Sequence, residues 1–179
     1  MIPTSSRALG FACLALFIAC IPAANWMIGN VGTKCVPDGP CLLPVAPGLM
    51  APSGVLTIGL ALVLRDLVQR HLGRLWAVGA IFWGAALSAA LAPPALVIAS
   101  TVAFLLSELA DFAVYTPLQE RGLVLAVLAS STVGLAVDSV LFLWLAFGSL
   151  EFLAGQIVGK GWMVLLALPV VHWLRKVAP

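Results

Sequence analysis

Long apolar runs alternate along the chain with short stretches in which polar residues, proline and glycine gather. A helix needs about 20 apolar residues to cross a bilayer, and six runs approach or exceed that length. We predict membrane-spanning helices over about residues 8–28, 51–69, 75–92, 94–116, 122–147 and 156–174. These runs use most of the 179 residues, so we expect a single transmembrane domain over residues 1–179. The predicted fold class is an all-α integral membrane protein, a bundle of six helices.

The ends of several runs carry helix-breaking residues. We expect Pro52 to introduce the second helix, Gly73 to close it, Pro117 to end the fourth and Gly148 to end the fifth. The first run, which follows Arg7 and is rich in alanine, has a second interpretation as a cleaved signal peptide. Its length and the five runs behind it favour retention as the first helix.

Composition narrows the class of protein further. The chain is 63% hydrophobic and 9% charged, with a mean hydropathy of +1.14, which excludes an ordinary soluble domain. The net charge of +2 is too small to indicate a nucleic-acid partner. The sequence contains no phosphate-binding loop, metal-ligand cluster or nucleophile elbow. We therefore expect no enzyme activity, no cofactor and no metal, with the lipid bilayer as the main surroundings.

Basic residues in the short loops predict the orientation, because cytoplasmic loops are enriched in lysine and arginine. With six spans, one side receives nearly all of them: Arg7, Arg65, Arg70, Arg74, Arg121, Arg175 and Lys176. Lys34 lies on the other side, and Lys160 lies just inside the sixth span. Both termini are then cytoplasmic, which requires an even number of spans.

The longest predicted loop, about residues 29–49, lies on the outer side in this arrangement. In it, Cys35 and Cys41 flank a Pro-Asp-Gly turn. On the oxidising side of a membrane this spacing favours a small disulfide loop, with two free thiols as the alternative.

Three carboxylates lie inside the apolar runs: Glu108 and Asp111 in the fourth, and Asp138 in the fifth. Each costs at least about 2.5–3.5 kcal/mol at bilayer depth, so three in neighbouring spans indicate a polar site between helices. Glu108, Asp111 and Tyr115 are spaced i, i+3 and i+7, which places them on one helix face. Such a site is typical of a protein that binds or transports a hydrophilic molecule.

A structural interpretation stays open for each of these groups. Glu108 and Asp111 have a candidate partner in Arg65, and Asp138 has one in Lys160, on the same outer half of the membrane. Ion pairing and ligand contact are compatible at both places. We expect Asp66 to lie at the membrane interface beside Arg65 and His71 to be solvated.

Several segments, in this order and spacing, resemble the VUT family of bacterial queuosine precursor transporters. They are Leu64–Leu67, Ser107–Tyr115, Val137–Phe142, Gly159-Lys160 and Pro169. The similarity covers about residues 52–175, with Ser131 standing where the family often has asparagine. The resemblance implies six helices and uptake of a 7-deazaguanine base, such as 7-cyano-7-deazaguanine, across the inner membrane. It also implies a substrate site between helices 2, 4, 5 and 6, and our expected set is Glu108, Asp111, Asp138, Lys160, Tyr115 and Arg65.

The chemistry of such a base agrees with carboxylates in the site. A guanine-like edge presents a ring N–H and an exocyclic amine, and one carboxylate can accept from both. Glu108, close to the middle of its span, is the expected acceptor.

Two other functions remain as alternatives. The first is the substrate-binding subunit of an energy-coupling-factor vitamin importer, whose alanine-rich first helix docks on a partner; Ala15, Ala19 and Ala23 would suit that role. The second and weaker one is a membrane enzyme with Glu108 and Asp111 as acid and base. The sequence leaves open whether the protein forms a homodimer.

Overall fold

The computed structural model of the protein describes residues 4–36 and 39–177, so Pro37 and Asp38 of the predicted turn lie outside the described residues. The side chains of Arg175 and Lys176, two of the expected basic residues, also lie outside the description. The described chain contains six α-helices: α1 Thr4–Asn30, α2 Val55–Leu72, α3 Arg74–Leu91, α4 Val97–Leu118, α5 Leu123–Phe147 and α6 Leu153–Val177.

The helix boundaries follow the punctuation of the sequence closely. Gly73 and Gly148 close α2 and α5 with φ values of 96° and 63°, which an L side chain adopts only with strain. A 3₁₀ turn at Pro94–Leu96 introduces α4. Pro117 does not end α4, as the sequence predicts, but lies in its last turn, one residue before the end of the helix.

The predicted outer loop contains a small sheet that the sequence does not predict, within a structure that is otherwise consistent with the expected all-α class. β1 Lys34–Cys35, β2 Cys41–Ala46 and β3 Leu49–Pro52 pair antiparallel in that order. A tight turn that includes Gly48, at φ 73°, connects β2 to β3, so the chain reverses within two residues. The predicted start of the second span, residues 51 and 52, belongs to β3. Cys35 lies opposite Cys41 across the first pair of strands, and a disulfide joins them.

The sheet, which we call the hairpin, packs on one end of the helix bundle. We call this end the hairpin end. Trp162 on α6 donates an indole N–H to the carbonyl of Val45 at 3.1 Å. Ser53, just after β3, donates its hydroxyl to the carbonyl of Met27 on α1 at 2.7 Å. The sheet therefore links α1 and α6 next to the start of α2.

Helix α2 occupies the centre of the bundle. It contacts all of the other five helices, and every residue from Ala61 to Gln69 is buried. The outer helices instead expose large apolar side chains, including all six tryptophans: Trp26, Trp76, Trp83, Trp144, Trp162 and Trp173. An apolar exterior around a polar-containing centre is the arrangement that a bilayer favours.

Among the described residues, five helices are long and apolar enough to cross a membrane: Ser6–Asn30, Arg74–Leu91, Pro94–Leu118, Leu123–Phe147 and Leu153–Leu174. Helix α2 has a suitable length, 18 residues, but carries Arg65, Asp66 and Arg70. The protein is thus a predominantly helical, multi-pass membrane protein, and the sixth crossing stays a prediction.

Candidate functional site

A small cavity of about 60 Å³, mainly apolar with one polar wall, lies toward the hairpin end, lined mainly by α1, α2, α4, α5 and α6. One water molecule needs about 10–15 Å³ on this measure, so the cavity has room for a few of them. Ile21, Ile58, Phe104 and Phe142 form part of its apolar wall. Its polar lining consists of Asn25, Ser88, Ser100, Asp138, Gln156 and Lys160.

The Lys160 cluster, formed by Asp138, Ser139, Gln156 and Lys160, makes the charged wall of this cavity. Gln156 and Lys160 are one turn apart on α6, while Asp138 and Ser139 come from α5. The Lys160 ammonium donates to Asp138 Oδ2 at 2.5 Å, to Ser139 Oγ at 2.8 Å and to Gln156 Oε1. Its three N–H groups are thereby all used, and its charge is matched by one carboxylate.

The same contacts leave an acceptor and a donor side by side. The Ser107 hydroxyl lies 3.5 Å from Asp138 Oδ1, at the far limit of a hydrogen bond. This oxygen can therefore accept a stronger hydrogen bond from another group. Gln156 uses its carbonyl oxygen toward Lys160, which points its amide N–H groups elsewhere. Lys160 therefore positions two groups that can recognise a ligand.

The Arg65 cluster, formed by Arg65, Asp66, Glu108 and Asp111, lies between α2 and α4, farther from the hairpin end than the Lys160 cluster. The Arg65 guanidinium contacts Asp66 Oδ1 at 2.7 Å through Nη2 and Glu108 Oε2 at 3.2 Å through Nε. Nη2 also donates to Asp111 Oδ1. All four side chains are almost wholly inaccessible to solvent.

A second set of groups holds this cluster in place. Ser130 on α5 donates to Asp66 Oδ2 at 2.8 Å, and Gln69 accepts from Arg65 Nη1 at 3.1 Å. The guanidinium carbon lies 5.9 Å from the centre of the Phe112 ring and 5.6 Å from that of Tyr115, within cation–π range. Helices α2, α4 and α5 therefore meet around one arginine.

The structure divides the predicted site residues between the two clusters. Glu108, Asp111 and Tyr115 do share a buried face of α4, as their spacing predicts. They pack around Arg65 and do not line the cavity, whereas Asp138 and Lys160 do. The ion pairs that the sequence offers as structural interpretations, Arg65 with Glu108 and Asp111 and Lys160 with Asp138, are both present.

Two residues are not where the sequence predicts them. Asp66, expected at the interface, is fully buried, where Ser130 donates to its Oδ2 and Arg65 compensates its charge. His71, expected in solvent, is 3% exposed, and its Nδ1 lies 2.9 Å from the Ser6 hydroxyl of α1. Sequence reasoning also missed Gln156, although its i, i+4 spacing from Lys160 places the two on one face.

A buried polar site inside a bundle of apolar helices is typical of a multi-pass membrane protein that binds or transports a hydrophilic molecule. Residues 87–178 match the family described as "Putative vitamin uptake transporter", and the chain belongs to that family. The matched region covers α4, α5 and α6, and with them Glu108, Asp111, Asp138 and Lys160. Comparisons with curated proteins and with solved structures find no significant match.

Proposed function

We propose that this protein takes up a queuosine precursor, a 7-deazaguanine base such as 7-cyano-7-deazaguanine, across the inner membrane. The observation that carries the proposal is the placement of Asp138 and Gln156, fixed by Lys160, on the wall of a cavity between helices. The family supports uptake of a small vitamin-like molecule. The resemblance of the α2, α4, α5 and α6 segments supports the deazaguanine.

The base is recognised by complementary hydrogen bonds. The Asp138 carboxylate accepts from the ring N–H and the exocyclic amine, and the Gln156 amide donates to the ring carbonyl. Phe104 and Phe142, which line the same cavity, offer apolar surface to the flat faces of the base. A bicyclic base is larger than the few water molecules that the cavity holds, so binding requires the surrounding helices to separate.

Glu108, the acceptor favoured by the sequence, has a different place in this proposal. In the described conformation Arg65 engages it and it lies outside the cavity lining. We therefore assign the first contact with the base to Asp138, and we place Glu108, Asp111, Tyr115 and Arg65 on the inner part of the path.

Uptake is tested in cells that lack both precursor synthesis and their own transporter, with labelled base and queuosine in transfer RNA as the readouts. Asp138→Asn replaces an acceptor oxygen by a donor, a loss of about 1–3 kcal/mol, so binding should weaken about tenfold or more. Glu151→Gln, an exposed carboxylate at the hairpin end, is the matched control and should bind normally.

Because Asp138→Asn also removes a charge partner, binding is compared per folded protein, and Glu108→Gln is measured beside it. A larger loss for Glu108→Gln than for Asp138→Asn would move the first contact to Glu108. If both variants take up the base like the parent, the proposed site is rejected. If the parent does not take up the base, the proposed substrate is rejected.

We further propose six crossings within one domain, with both termini in the cytoplasm. In a background without native cysteines, single cysteines at Gly39 and Glu151 should react with a thiol reagent that cannot cross the membrane. Cysteines at Arg74 and Glu120 should not react, since those turns lie at the opposite end of the bundle. Labelling of Arg74→Cys from outside would show that α2 does not cross.

A second candidate function, the substrate-binding subunit of an energy-coupling-factor importer, is favoured by one observation. Ala12, Ala15 and Ala19 are exposed along α1, so this helix presents a surface of small side chains on which another helix can pack closely. Copurification with an ATPase and a membrane coupling subunit would support it. Ala15→Trp should then abolish copurification while purified protein still binds the base.

A further inference from the structure

The Arg65 cluster has an unbalanced formal charge. Asp66, Glu108 and Asp111 surround one guanidinium, which leaves two negative charges in excess if all three carboxyl groups are ionised. An uncompensated charge in a dry interior costs several kcal/mol. A neutral carboxyl group removes most of that cost, so the cluster favours at least one bound proton.

The geometry places two of the carboxyl groups on one nitrogen. Asp66 Oδ1 and Asp111 Oδ1 both contact Arg65 Nη2, so the two groups converge on the same point from α2 and α4. Two carboxylates that share a site do not both ionise readily, and a proton on one of them relieves the repulsion. The guanidinium occupies the centre of the cluster, which disfavours a metal cation at that position.

Unpartnered buried atoms at the same place are a second, independent observation. Within the described residues, Asp66 Oδ1, Asp111 Oδ2 and Tyr115 Oη of this region are buried without a hydrogen-bond partner. Asp66, Asp111 and Tyr115 are all 0% exposed. A Cβ added at Gly134 would lie 3.0 Å from Asp111 Oδ2, so the α5 backbone passes directly beside this oxygen. Asp111 Oδ2 can therefore carry a proton without breaking an existing contact.

The groups that face the cluster from the other helices do not balance its charge. Helix α5 contributes Ser130, and its Asp138 is already paired with Lys160 of α6. Helix α1 contributes the thiols of Cys13 and Cys20 to the apolar core that also contains Tyr115. The Lys160 charge is thus taken up within its own cluster and leaves the Arg65 cluster with its excess.

We propose that the Arg65 cluster binds an exchangeable proton and that transport is coupled to its uptake and release. A proton from the outer side forms an O–H bond on Asp111 or Asp66, and the same bond breaks when the proton leaves toward the cytoplasm. The inference rests on the proposed transport function. It assigns substrate contact to the Lys160 cluster and proton binding to the Arg65 cluster.

Infrared spectroscopy of the purified protein tests proton binding without any substrate. The parent at neutral pH should show the carbonyl band of a protonated, buried carboxyl group, and the band should disappear on titration to high pH. The double variant Asp66→Asn/Asp111→Asn leaves Glu108 and Arg65 as a matched pair, so the band should be lost. Glu120→Gln, an exposed carboxylate, should keep it. A parent without the band, or a double variant that retains it, would overturn the inference.

Proteoliposomes then test coupling, with the membrane potential held at zero. Exchange of labelled base between equal concentrations inside and outside the liposomes measures transport itself. An acid exterior should in addition cause net accumulation of the base inside. One proton per base gives up to about tenfold accumulation per pH unit, because each tenfold ratio corresponds to about 1.4 kcal/mol. The double variant should lose the response to pH, measured relative to its own exchange rate.

The outcomes separate the two proposals. Exchange in the parent that ignores a pH gradient, or that follows a sodium gradient at constant pH, overturns proton coupling and leaves the transport function standing. Absence of exchange in the parent rejects the substrate or the transport function, and the infrared result alone then decides whether the cluster binds a proton.

Discussion

The two buried clusters each stabilise a cation inside the helix bundle, but they differ in charge balance and in their contact with the cavity. In the Lys160 cluster one ammonium meets one carboxylate, uses its remaining N–H groups on Ser139 and Gln156, and borders a cavity. In the Arg65 cluster one guanidinium meets three carboxylates, and its members do not line that cavity. A balanced cluster at a cavity wall suits recognition of a neutral polar ligand, whereas an unbalanced and sealed cluster suits storage of a proton.

The largest effect should follow removal of the arginine. Arg65→Met leaves three buried carboxyl groups without their cation, and breaking a buried pair typically costs about 3–5 kcal/mol. We expect most of the protein to be lost from the membrane, measured as abundance and as thermal stability in detergent. Arg74→Met, at an exposed position that starts α3, should change neither. Normal abundance of Arg65→Met would mean that the cluster does not depend on its central charge.

A somewhat smaller effect should follow Lys160→Met, which strands a single carboxylate. We expect destabilisation of about 3–5 kcal/mol from this one broken pair, whereas Arg65→Met breaks three. Adding Asp138→Asn should recover part of that loss, since no charge then remains in the pair. Thermal unfolding of the four proteins in a double-mutant cycle checks this, and additive effects would show that the pair is not coupled.

Gly59 sets the distance between the helices that carry the two cations. A Cβ at this position would lie 2.7 Å from the carbonyl oxygen of Lys160, so α2 and α6 touch through their backbones. Gly59→Ala should cost about 1–3 kcal/mol through overpacking and should weaken binding of the base. Gly161→Ala, where nothing lies within 4 Å, is the matched control and should stabilise slightly, by about 0.4–1 kcal/mol. Equal melting temperatures for the two variants would contradict this close approach.

The smallest effect should come from the disulfide, which lies away from both clusters. Cys35 and Cys41 are separated by six positions, so the closed loop is short and its bond should contribute less than the typical roughly 2–4 kcal/mol. Replacing both with serine should leave uptake nearly unchanged. Mass spectrometry of thiol-blocked, non-reduced protein checks the bond itself, and free thiols there would exclude it.

Much of the helical framework could be predicted from the sequence. Long apolar runs broken by Gly73 and Gly148 have few structural solutions, and the observed helices end within a few residues of the predicted ones. The shared face of Glu108, Asp111 and Tyr115 follows directly from helical spacing. Periodicity is a local property, so it can be read without knowing which helices touch.

The rest depends on contacts between distant segments. The sequence does not predict the hairpin, because β2 and β3 are short and contain Pro44 and Pro52, and proline usually argues against a strand. The sequence places Asp66 at the interface because its partner Ser130 lies on α5 and is identified only when α2 and α5 are packed. The sequence offers the pairing of Arg65 with α4 and of Lys160 with Asp138, but which of the two clusters lines the cavity depends on how the helix faces meet.

The burial of Arg65 and Asp66 in α2 also has a consequence for the insertion of the chain into the membrane during synthesis. Insertion of each into a bilayer on its own costs about 2.5–3.5 kcal/mol, which apolar neighbours such as Leu62 offset only in part. The groups that satisfy them, on α4 and α5, leave the ribosome later than α2 does. We therefore expect α2, proposed above as a sixth crossing, to insert only after α4 and α5 have been synthesised. In a chain truncated after α3 it should stay uninserted.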